Sequence, residues 1–251
     1  MASNTATVLA AGSALRILLS QTTLPALLAD RVELTTPLSS YTRLQEGYHL
    51  LTSLSRPLDP YSSGSFHGPP LLLALAGPFT HGELSGWPSC ALWTAADAAI
   101  AWAISQVAKR RGRGELLRKE GEEKWSPATV AAIYLFHPFS IATTLARSGV
   151  TFSNLFLALA LESALVGSYI PAVLLLSFAT HFSLYPVLLL PPLILLAHRC
   201  SSPESAEGRN SLRTRAVLDI AAFLAHQAAV LFISRWMTGS WEFLSSAYGV
   251  M

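Results

Sequence analysis

Long apolar blocks, separated by a few polar stretches, are the feature of this sequence that most restricts its fold. Residues 5–28, 87–108 and 216–236 are each long enough, at about 1.5 Å per residue, to cross a hydrocarbon core of about 30 Å as a helix. A further block, 126–197, is almost continuously apolar. Charged residues make up 13% of the chain, whereas about a quarter is usual in soluble domains. We therefore expect an all-α polytopic membrane protein with a single membrane domain over 1–251.

Two basic segments, 109–125 and 198–215, set the predicted orientation. The first holds seven of the seventeen Lys and Arg residues. Because cytoplasmic loops carry an excess of Lys and Arg, we predict that both segments are cytoplasmic. The block between them, 126–197, must then cross the membrane an even number of times. The segment 29–86 and the tail 237–251 fall on the opposite side.

Glycine and proline interrupt the apolar block, so four short or broken helices fit it better than two long ones. Broken backbone at membrane depth must be shielded by protein or line a polar cavity. The breaks are therefore compatible with a lipid or substrate groove and equally with kinks that only serve helix packing. The interruptions are Arg147-Ser148-Gly149, Gly167-Ser168, Pro171, Pro186 and Pro191-Pro192.

Residues 30–70 form the longest stretch that cannot lie in lipid, and recognition or chemistry is expected there. Apolar residues recur at spacings of three and four from Leu38 to Leu54, with Thr36 placed to cap a helix and Pro37 at its first position. We interpret this as an interfacial helix, with its apolar side on the membrane or on packed transmembrane helices. The apolar run 71–79 that follows is too short to span and is expected to be buried or re-entrant.

Acidic side chains inside the predicted spans should be protonated, paired or facing a cavity, because a charge at the bilayer centre costs at least about 2.5 kcal/mol. Arg16 lies within the first span, which argues against a cleaved signal because basic residues precede the apolar core of a signal peptide. Asp219 is expected to pair with Arg215, four residues earlier. The other two intramembrane acids are expected to pair with Arg16 or Arg147; they are Asp97 and Glu162. Asp97 is also kept as a candidate functional residue inside the membrane.

Signatures of catalysis or metal binding are not found in the sequence. Cys90 and Cys200 have no CxxC or metal spacing, and a disulfide between them is not expected because they lie near opposite membrane faces in this topology. His137 and His181 are interpreted as hydrogen-bonded residues at helix ends. The net charge of +2 gives no case for nucleic-acid binding. No metal and no cofactor are predicted.

Four motifs give the chain a family resemblance. They are an RVE-x5-S triplet and an EG step within ADRVELTTPLSSYTRLQEGYHLL, the series PYS, FH and PL within DPYSSGSFHGPPLLLAL, and GSW-x-F-x-x-S-x-YG within TGSWEFLSSAYG. With these motifs, essentially the whole chain resembles the PIG-U family of multispanning GPI transamidase subunits. Members of that family continue past the last motif into further spans, so the resemblance implies that a chain ending at Met251 is shortened.

The resemblance implies a multi-pass protein of the endoplasmic reticulum membrane, with a fold similar to the membrane glycosyltransferases that use lipid-linked sugars (GT-C). It implies a non-catalytic subunit that binds or presents the GPI lipid, the C-terminal attachment signal of the substrate protein, or both. The other transamidase subunits, one of which carries the cysteine-protease-like centre, would be its partners. The lipid- or partner-binding candidates are Arg31, Glu33, Asp59, Tyr61, His67, Asp97, Trp241 and Tyr248.

The main alternative is a mannosyltransferase of GPI biosynthesis that uses a dolichol-phosphate sugar. Such an enzyme needs two carboxylates, commonly as Asp-x-Asp, to act as a base or to bind a metal. The corresponding region here reads Asp30-Arg31-Val32-Glu33, and on a strand this spacing would place the two acids on opposite faces. The degenerate pattern favours the subunit over the enzyme. A transporter is the third possibility, supported only by the broken helices.

Overall fold

A computed structural model of the chain describes residues 2–52, 59–62, 66–111, 125–201 and 209–249. The structure is 81% helical and contains no strand in the described residues, which confirms the predicted all-α fold. The helices are α1 Ala2–Ser20, α2 Leu24–Leu28, α3 Tyr41–Thr52, α4 Pro70–Ala76, α5 Trp87–Arg111, α6 Pro127–Leu135, α7 Pro138–Leu145, α8 Val150–Val166, α9 Tyr169–Phe182, α10 Leu190–Ser201, α11 Arg209–Thr238 and α12 Glu242–Tyr248. The predicted likeness to the glycosyltransferase fold stays a prediction.

Two described helices are long and apolar enough to cross a membrane, namely Trp87–Arg110 of α5 and Thr214–Thr238 of α11. A third span is possible if α6 and α7, which meet at an angle of 56°, are counted together. The predicted first span, 5–28, is divided, because α1 ends at Ser20 and α2 begins at Leu24. Serine and threonine hydroxyls at this break donate back to carbonyls of α1, which ends the helix early.

The block 126–197 is broken as predicted, into the helices α6 to α10. The α7 helix begins at Pro138, where the His137 imidazole caps it by accepting a hydrogen bond from the Phe139 N–H (3.3 Å), so His137 is a helix-end residue. The α8 helix ends at Gly167, which has a φ of 82°. A Cβ at Gly167 would lie 2.8 Å from the Ser201 Cα, so the glycine also lets α10 approach closely. The number of membrane crossings in this block stays a prediction.

Contacts between loops and helix ends show that the helices of the bundle alternate in direction. At one end, the Ser39 carbonyl accepts from the Gly149 N–H (2.8 Å). At the other end, Arg110 forms an ion pair with Glu162 (2.8 Å). We call the first end, which holds the described residues of 29–86 and 239–249, the loop end, and the second, next to the described residues of both basic segments, the basic end. The membrane side of each end stays a prediction.

The core at the loop end is built around Trp93, which is 0% exposed. The Trp93 ring lies edge-on to those of Tyr41 (5.6 Å) and Phe152 (5.3 Å), while its indole N–H donates to the Ser148 carbonyl (3.1 Å). The predicted buried piece 71–79 forms α4 and a 3₁₀ turn packed on this core, as expected. A second core cluster lies between α8, α9, α10 and α11.

The α3 helix packs its apolar face on the protein, which was one of the two surfaces predicted for it. Its predicted start at Thr36 is wrong, because the helix begins at Tyr41. The Ser39 hydroxyl accepts from the Thr36 N–H (3.0 Å), and this local bond stabilises a turn where helix was expected. Leu54, the last residue of the predicted pattern, lies outside the described residues.

A buried ion pair joins α1 to α5 near the middle of the bundle. Arg16 is 1% and Asp97 2% exposed, and Arg16 Nη2 lies 2.6 Å from Asp97 Oδ2. The second carboxylate oxygen accepts from the Tyr134 hydroxyl (2.7 Å). Arg16 Nη1 donates to the carbonyls of Gly12 and Leu135 (both 3.0 Å). The pairing of Asp97 with Arg16, one of the two expected partners, is confirmed.

The other two intramembrane acids have partners that the sequence did not identify. Glu162 pairs with Arg110, so the expected pairing with Arg16 or Arg147 is wrong. Glu162 lies near the C-terminal end of α8, at the basic end of the bundle, whereas Arg147 precedes α8 at the loop end. Asp219 accepts from the His198 Nε2–H (2.7 Å), a contact that ties α11 to α10. Both of these acids therefore hold helices together.

We predict that Asp97→Ala lowers the free energy of unfolding by about 3–5 kcal/mol, because the buried Arg16 guanidinium loses its counter-charge. The matched control is Arg43→Ala, which breaks an exposed pair with Glu46 and should cost about 1 kcal/mol or less. Denaturant unfolding of the purified chain in detergent micelles measures both. Replacing Arg16 and Asp97 together by Met and Leu should recover much of the loss. Equal losses in Asp97→Ala and Arg43→Ala would contradict a structural role for the buried pair.

A second prediction concerns orientation. A glycosylation acceptor inserted at 63–65, a segment outside the described residues, should be modified in microsomal membranes because the loop end is predicted to be lumenal. The same acceptor inserted within 112–124 should stay unmodified. Gel mobility with and without a glycosidase gives the result. Modification at 112–124 alone would reverse the predicted orientation.

Candidate functional site

Two segments that are far apart in sequence meet at the loop end and form what we call the cap, residues 59–62, 66–68 and 239–249. The Ser240 hydroxyl donates to Asp59 Oδ2 (2.9 Å) across 181 residues of sequence. His67 Nδ1 donates to the Ser246 carbonyl (3.3 Å). Five of the eight predicted site residues belong to the cap: Asp59, Tyr61, His67, Trp241 and Tyr248.

Short-range contacts explain why these residue types build the cap. Asp59 Oδ1 accepts from the Tyr61 N–H (3.0 Å), so one carboxylate closes a local turn and also binds the tail. The Tyr61 hydroxyl donates to the Gly68 carbonyl (2.9 Å). Phe66 is 2% exposed, and a Cβ on Gly47 would lie 2.7 Å from its ring. The glycine of the EG step thus makes room for the phenylalanine.

Phe243 is the buried centre of the tail half of the cap and is 0% exposed. Its ring centroid lies 6.1 Å from that of Tyr61 and 5.9 Å from that of Trp241. Aromatic pairs at such distances add to the stabilisation given by burial. The cap is therefore held by aromatic packing as well as by polar contacts.

Tyr248 links the cap to the membrane helices through His181, which is fully buried at the end of α9. The Tyr248 hydroxyl donates to the His181 carbonyl (2.8 Å). His181 Nδ1, 3.0 Å from the same hydroxyl oxygen, must then be the donor to it. The Nε2 atom is left to accept from the Ser234 hydroxyl (3.3 Å), so the geometry assigns a neutral Nδ1–H imidazole. As the sequence predicted, His181 is a hydrogen-bonded helix-end residue.

The electrostatics of the cap keep its phenols protonated. Burial raises the pKa of Tyr61 well above its usual value, and the Asp59 carboxylate and Tyr248 raise it further. Burial also raises the pKa of Tyr248. Both hydroxyls therefore remain hydrogen-bond donors at neutral pH. Nearby, burial and then the stacked ring of His49 lower the pKa of His81, which favours a neutral His81 ring.

An aromatic and cationic surface borders the cap at the end of α11. Trp241 is 38% and Trp236 is 85% exposed. The Arg235 guanidinium carbon lies 5.1 Å from the centre of the Trp241 ring. Because tryptophan is enriched where membrane meets water, this surface fits the level of lipid headgroups.

Three of the predicted site residues lie outside the cap. Arg31 and Glu33 are exposed in the turn between α2 and α3, and within the described part of the chain their side chains form no hydrogen bond or ion pair. Asp97 lies in the buried ion pair with Arg16. The structure therefore does not join these three residues to the other five.

The sequence did not identify a polar corner between α7 and α8, formed by Arg147, Ser148 and Gly149. Arg147 has a φ of 52°, and its Nη1 donates to the Tyr41 hydroxyl (3.0 Å) and the Ser85 carbonyl (2.9 Å). The guanidinium also lies over the Tyr41 ring at 5.0 Å. An Arg-Ser-Gly break directly after an apolar helix is the available signal, but by itself it predicts only a helix interruption.

Metal-binding groups and reactive thiols do not stand out in the described residues. No group of three or more His, Cys, Asp or Glu side chains there could hold a metal ion. The Cys90 thiol is buried and donates to the Ser20 hydroxyl (3.0 Å). Cys200 is half-buried and not bonded to Cys90. The cap itself combines buried, internally hydrogen-bonded hydroxyls with exposed aromatic surface.

Sequence comparison with known proteins gives matches that cover the segments described above. The sequence model of the family described as GPI transamidase subunit PIG-U matches residues 10–251. The GPI-anchor transamidase component PIGU of Homo sapiens is 26% identical over 99% of this chain, and that of Cricetulus griseus is 27% identical over the same share. The GPI transamidase component GAB1 of Saccharomyces cerevisiae is 27% identical over 88% of this chain.

The chain spans about 60% of the length of the two PIGU relatives and 50% of the length of GAB1. The family match nevertheless covers both halves of the cap, the polar corner and the buried ion pair. A match over nearly the whole chain identifies the family. This chain belongs to the PIG-U family.

Proposed function

We propose that this chain is a non-catalytic component of a GPI transamidase and takes part in attaching GPI anchors to proteins in the endoplasmic reticulum. The observation that carries the proposal is the family match over residues 10–251. The relatives named above are components of that enzyme, and none of them is named a mannosyltransferase. The mannosyltransferase alternative is thus not supported.

In this proposal the chain binds or presents the GPI lipid, the C-terminal attachment signal, or both. Holding an acceptor lipid beside a reactive acyl group can accelerate transfer without any catalytic residue, because proximity and orientation lower the barrier by several kcal/mol. The exposed aromatic surface around Trp241 suits contact with lipid or with an apolar peptide. Asp59, Tyr61, His67 and Tyr248 would act by holding that surface in place.

The exposed residues of the turn after α2 suit a different task. Arg31 and Glu33 are free of partners in the described part of the chain, so they can bind charged groups of other transamidase subunits. Charged contacts at the rim of a protein–protein interface contribute little affinity individually, but they orient the partners. We propose this turn as a subunit contact and the cap as the lipid or signal contact.

A non-catalytic role is supported by the environment of the cysteines. Acyl transfer by a thiol needs a thiolate activated by a base such as histidine. The buried Cys90 thiol contacts hydroxyl groups, of Ser20 and Thr94. The nucleophile would then come from another subunit. The loop end, with the cap, would face the lumen of the endoplasmic reticulum as part of a multi-pass protein.

We predict that the tagged chain, expressed in cells that lack their own PIG-U, co-purifies with the other transamidase subunits and restores GPI-anchored proteins at the cell surface. Immunoprecipitation and flow cytometry measure the two effects. A multispanning membrane protein outside the complex is the control for non-specific recovery. Failure to co-purify would refute the subunit assignment, and co-purification without restoration would refute participation in anchor attachment.

A second prediction tests the link between the cap and the membrane helices. Tyr248→Phe should lower the free energy of unfolding by about 1–3 kcal/mol, because the buried His181 carbonyl and Nδ1–H lose their partner. The matched control is Tyr185→Phe, since Tyr185 is 66% exposed. Thermal unfolding in detergent and surface rescue of GPI-anchored proteins are measured for both variants. The proposed role of the cap predicts weaker surface rescue only for Tyr248→Phe; identical behaviour of the two variants would contradict it.

A further inference from the structure

The polar corner holds Arg147 in a backbone conformation that L-amino acids rarely adopt, with a φ of 52°. Neighbouring contacts fix it there. The Gly149 N–H donates to the Ser39 carbonyl (2.8 Å), and the Trp93 indole donates to the Ser148 carbonyl (3.1 Å). A non-glycine residue held in such a conformation by its surroundings points to a function for its side chain.

The Arg147 guanidinium is anchored along one side only. Nη1 makes both of its hydrogen bonds, to the Tyr41 hydroxyl and the Ser85 carbonyl, and the Tyr41 ring lies beneath the group. The Nε and Nη2 groups make no hydrogen bond to the described residues. These two N–H groups form the edge of the guanidinium that binds two oxygens of one phosphate or carboxylate side by side.

Within the described residues, Arg147 also has no carboxylate as a counter-charge. Three other arginines, Arg16, Arg43 and Arg110, are each paired with a carboxylate. Arg147 is half-buried, yet no Asp or Glu of the described residues forms an ion pair with it. Because burial of an unpaired charge is unfavourable, a half-buried arginine anchored only by neutral groups is suited to an anionic ligand.

The position of the corner indicates which anion. Arg147 follows the end of α7 and contacts Ser85, two residues before α5 begins at Trp87. Trp87 is 57% and Leu84 44% exposed. An anionic group that meets a cation beside exposed apolar side chains, at the ends of membrane helices, is typical of a lipid headgroup.

We propose that Arg147 binds the phosphate of an anionic membrane lipid through its Nε–Nη2 edge. This inference rests on the proposed function in one respect, that the loop end contacts a lipid ligand. It adds to that function one residue, Arg147, and one chemical group of the ligand, the phosphate. The polar corner is built from α3, α5 and α7 and uses none of the residues of the cap.

The test uses the purified full chain in nanodiscs of phosphatidylcholine with or without phosphatidylinositol. Phosphatidylinositol retained by the chain after extraction into detergent is measured by mass spectrometry. Arg147→Asn should reduce its retention about tenfold relative to phosphatidylcholine, because a charge-assisted bidentate contact is lost. Asparagine tolerates a positive φ, so the backbone of the corner is preserved. Arg147→Lys, which keeps the charge but not the two-pronged edge, should give an intermediate value.

Two controls separate binding from folding. Arg43→Asn makes the same change at an exposed arginine of α3, at the loop end, and should leave retention unchanged. Tyr41→Phe removes one anchor of Arg147 but leaves its open edge, so it should reduce retention less than Arg147→Asn does. Equal reduction in Tyr41→Phe and Arg147→Asn would show that Arg147 acts through folding and would overturn the proposal.

Two further outcomes would also overturn it. Wild-type retention of phosphatidylinositol by Arg147→Asn would exclude the contact. A rise in the thermal midpoint of the wild-type chain with inorganic phosphate as large as that with phosphatidylinositol would show a general anion site instead of a lipid site. The assay contains no other transamidase subunit, so its failure leaves the co-purification test of the proposed function independent.

Discussion

The ion pair between Arg16 and Asp97 is the interaction on which the rest of the bundle depends. It lies where α6 breaks, and Arg16 supplies a donor to the Leu135 carbonyl at the end of that helix. In a membrane protein, a helix end without such a donor would leave a peptide group without a partner, at considerable cost. With the break stabilised, α7 can bend away by 56° and carry the Arg147 corner to the loop end. One residue pair thus stabilises the break between α6 and α7 and positions the polar corner at the loop end.

The α5 helix links the ion pair to the polar corner, because one face of the helix contacts both. Asp97 holds Arg16, and Trp93, one turn earlier, donates to the carbonyl of Ser148. The α11 helix is held differently, since only 17% of its most apolar 18-residue stretch is buried inside the protein. Its polar contacts with α9 include the bond from Ser177 to Gln227 (2.8 Å) and, near its loop end, the bond from the Ser234 hydroxyl to His181 Nε2 (3.3 Å). Interhelical hydrogen bonds matter more where lipid removes the hydrophobic driving force between helices.

Sequence reasoning succeeded where the signal was local. Apolar block lengths, the Arg147-Ser148-Gly149 step and the Gly167-Ser168 step predicted an all-α chain with a broken middle block, because these features act on neighbouring backbone. The sequence did not predict contacts that depend on the rotation of helices about their axes. Glu162 pairs with Arg110 instead of with Arg16 or Arg147. The predicted start of α3 failed because the Ser39 hydroxyl stabilises a turn. The meeting of Asp59 with Ser240 could not be derived from spacing at all; the basic segments only place 29–86 and 237–251 on the same side, and the family motifs mark residues in both.

The residues marked by the family motifs divide by burial, and the division separates two kinds of role. Tyr61, Phe66 and Phe243 are between 0% and 4% exposed, and packing and hydrogen bonds within the chain account for them. Arg31 and Glu33 are exposed and form no hydrogen bond or ion pair with the described residues, so folding alone gives no reason for their side chains. Arg147 is the intermediate case, anchored by Nη1 and open along its other edge. The buried motif residues use their side chains for packing and hydrogen bonds that build the fold. A lipid or a partner subunit would therefore bind the exposed residues and the open Nε–Nη2 edge of Arg147, because these side-chain groups form no hydrogen bond or ion pair with the described residues.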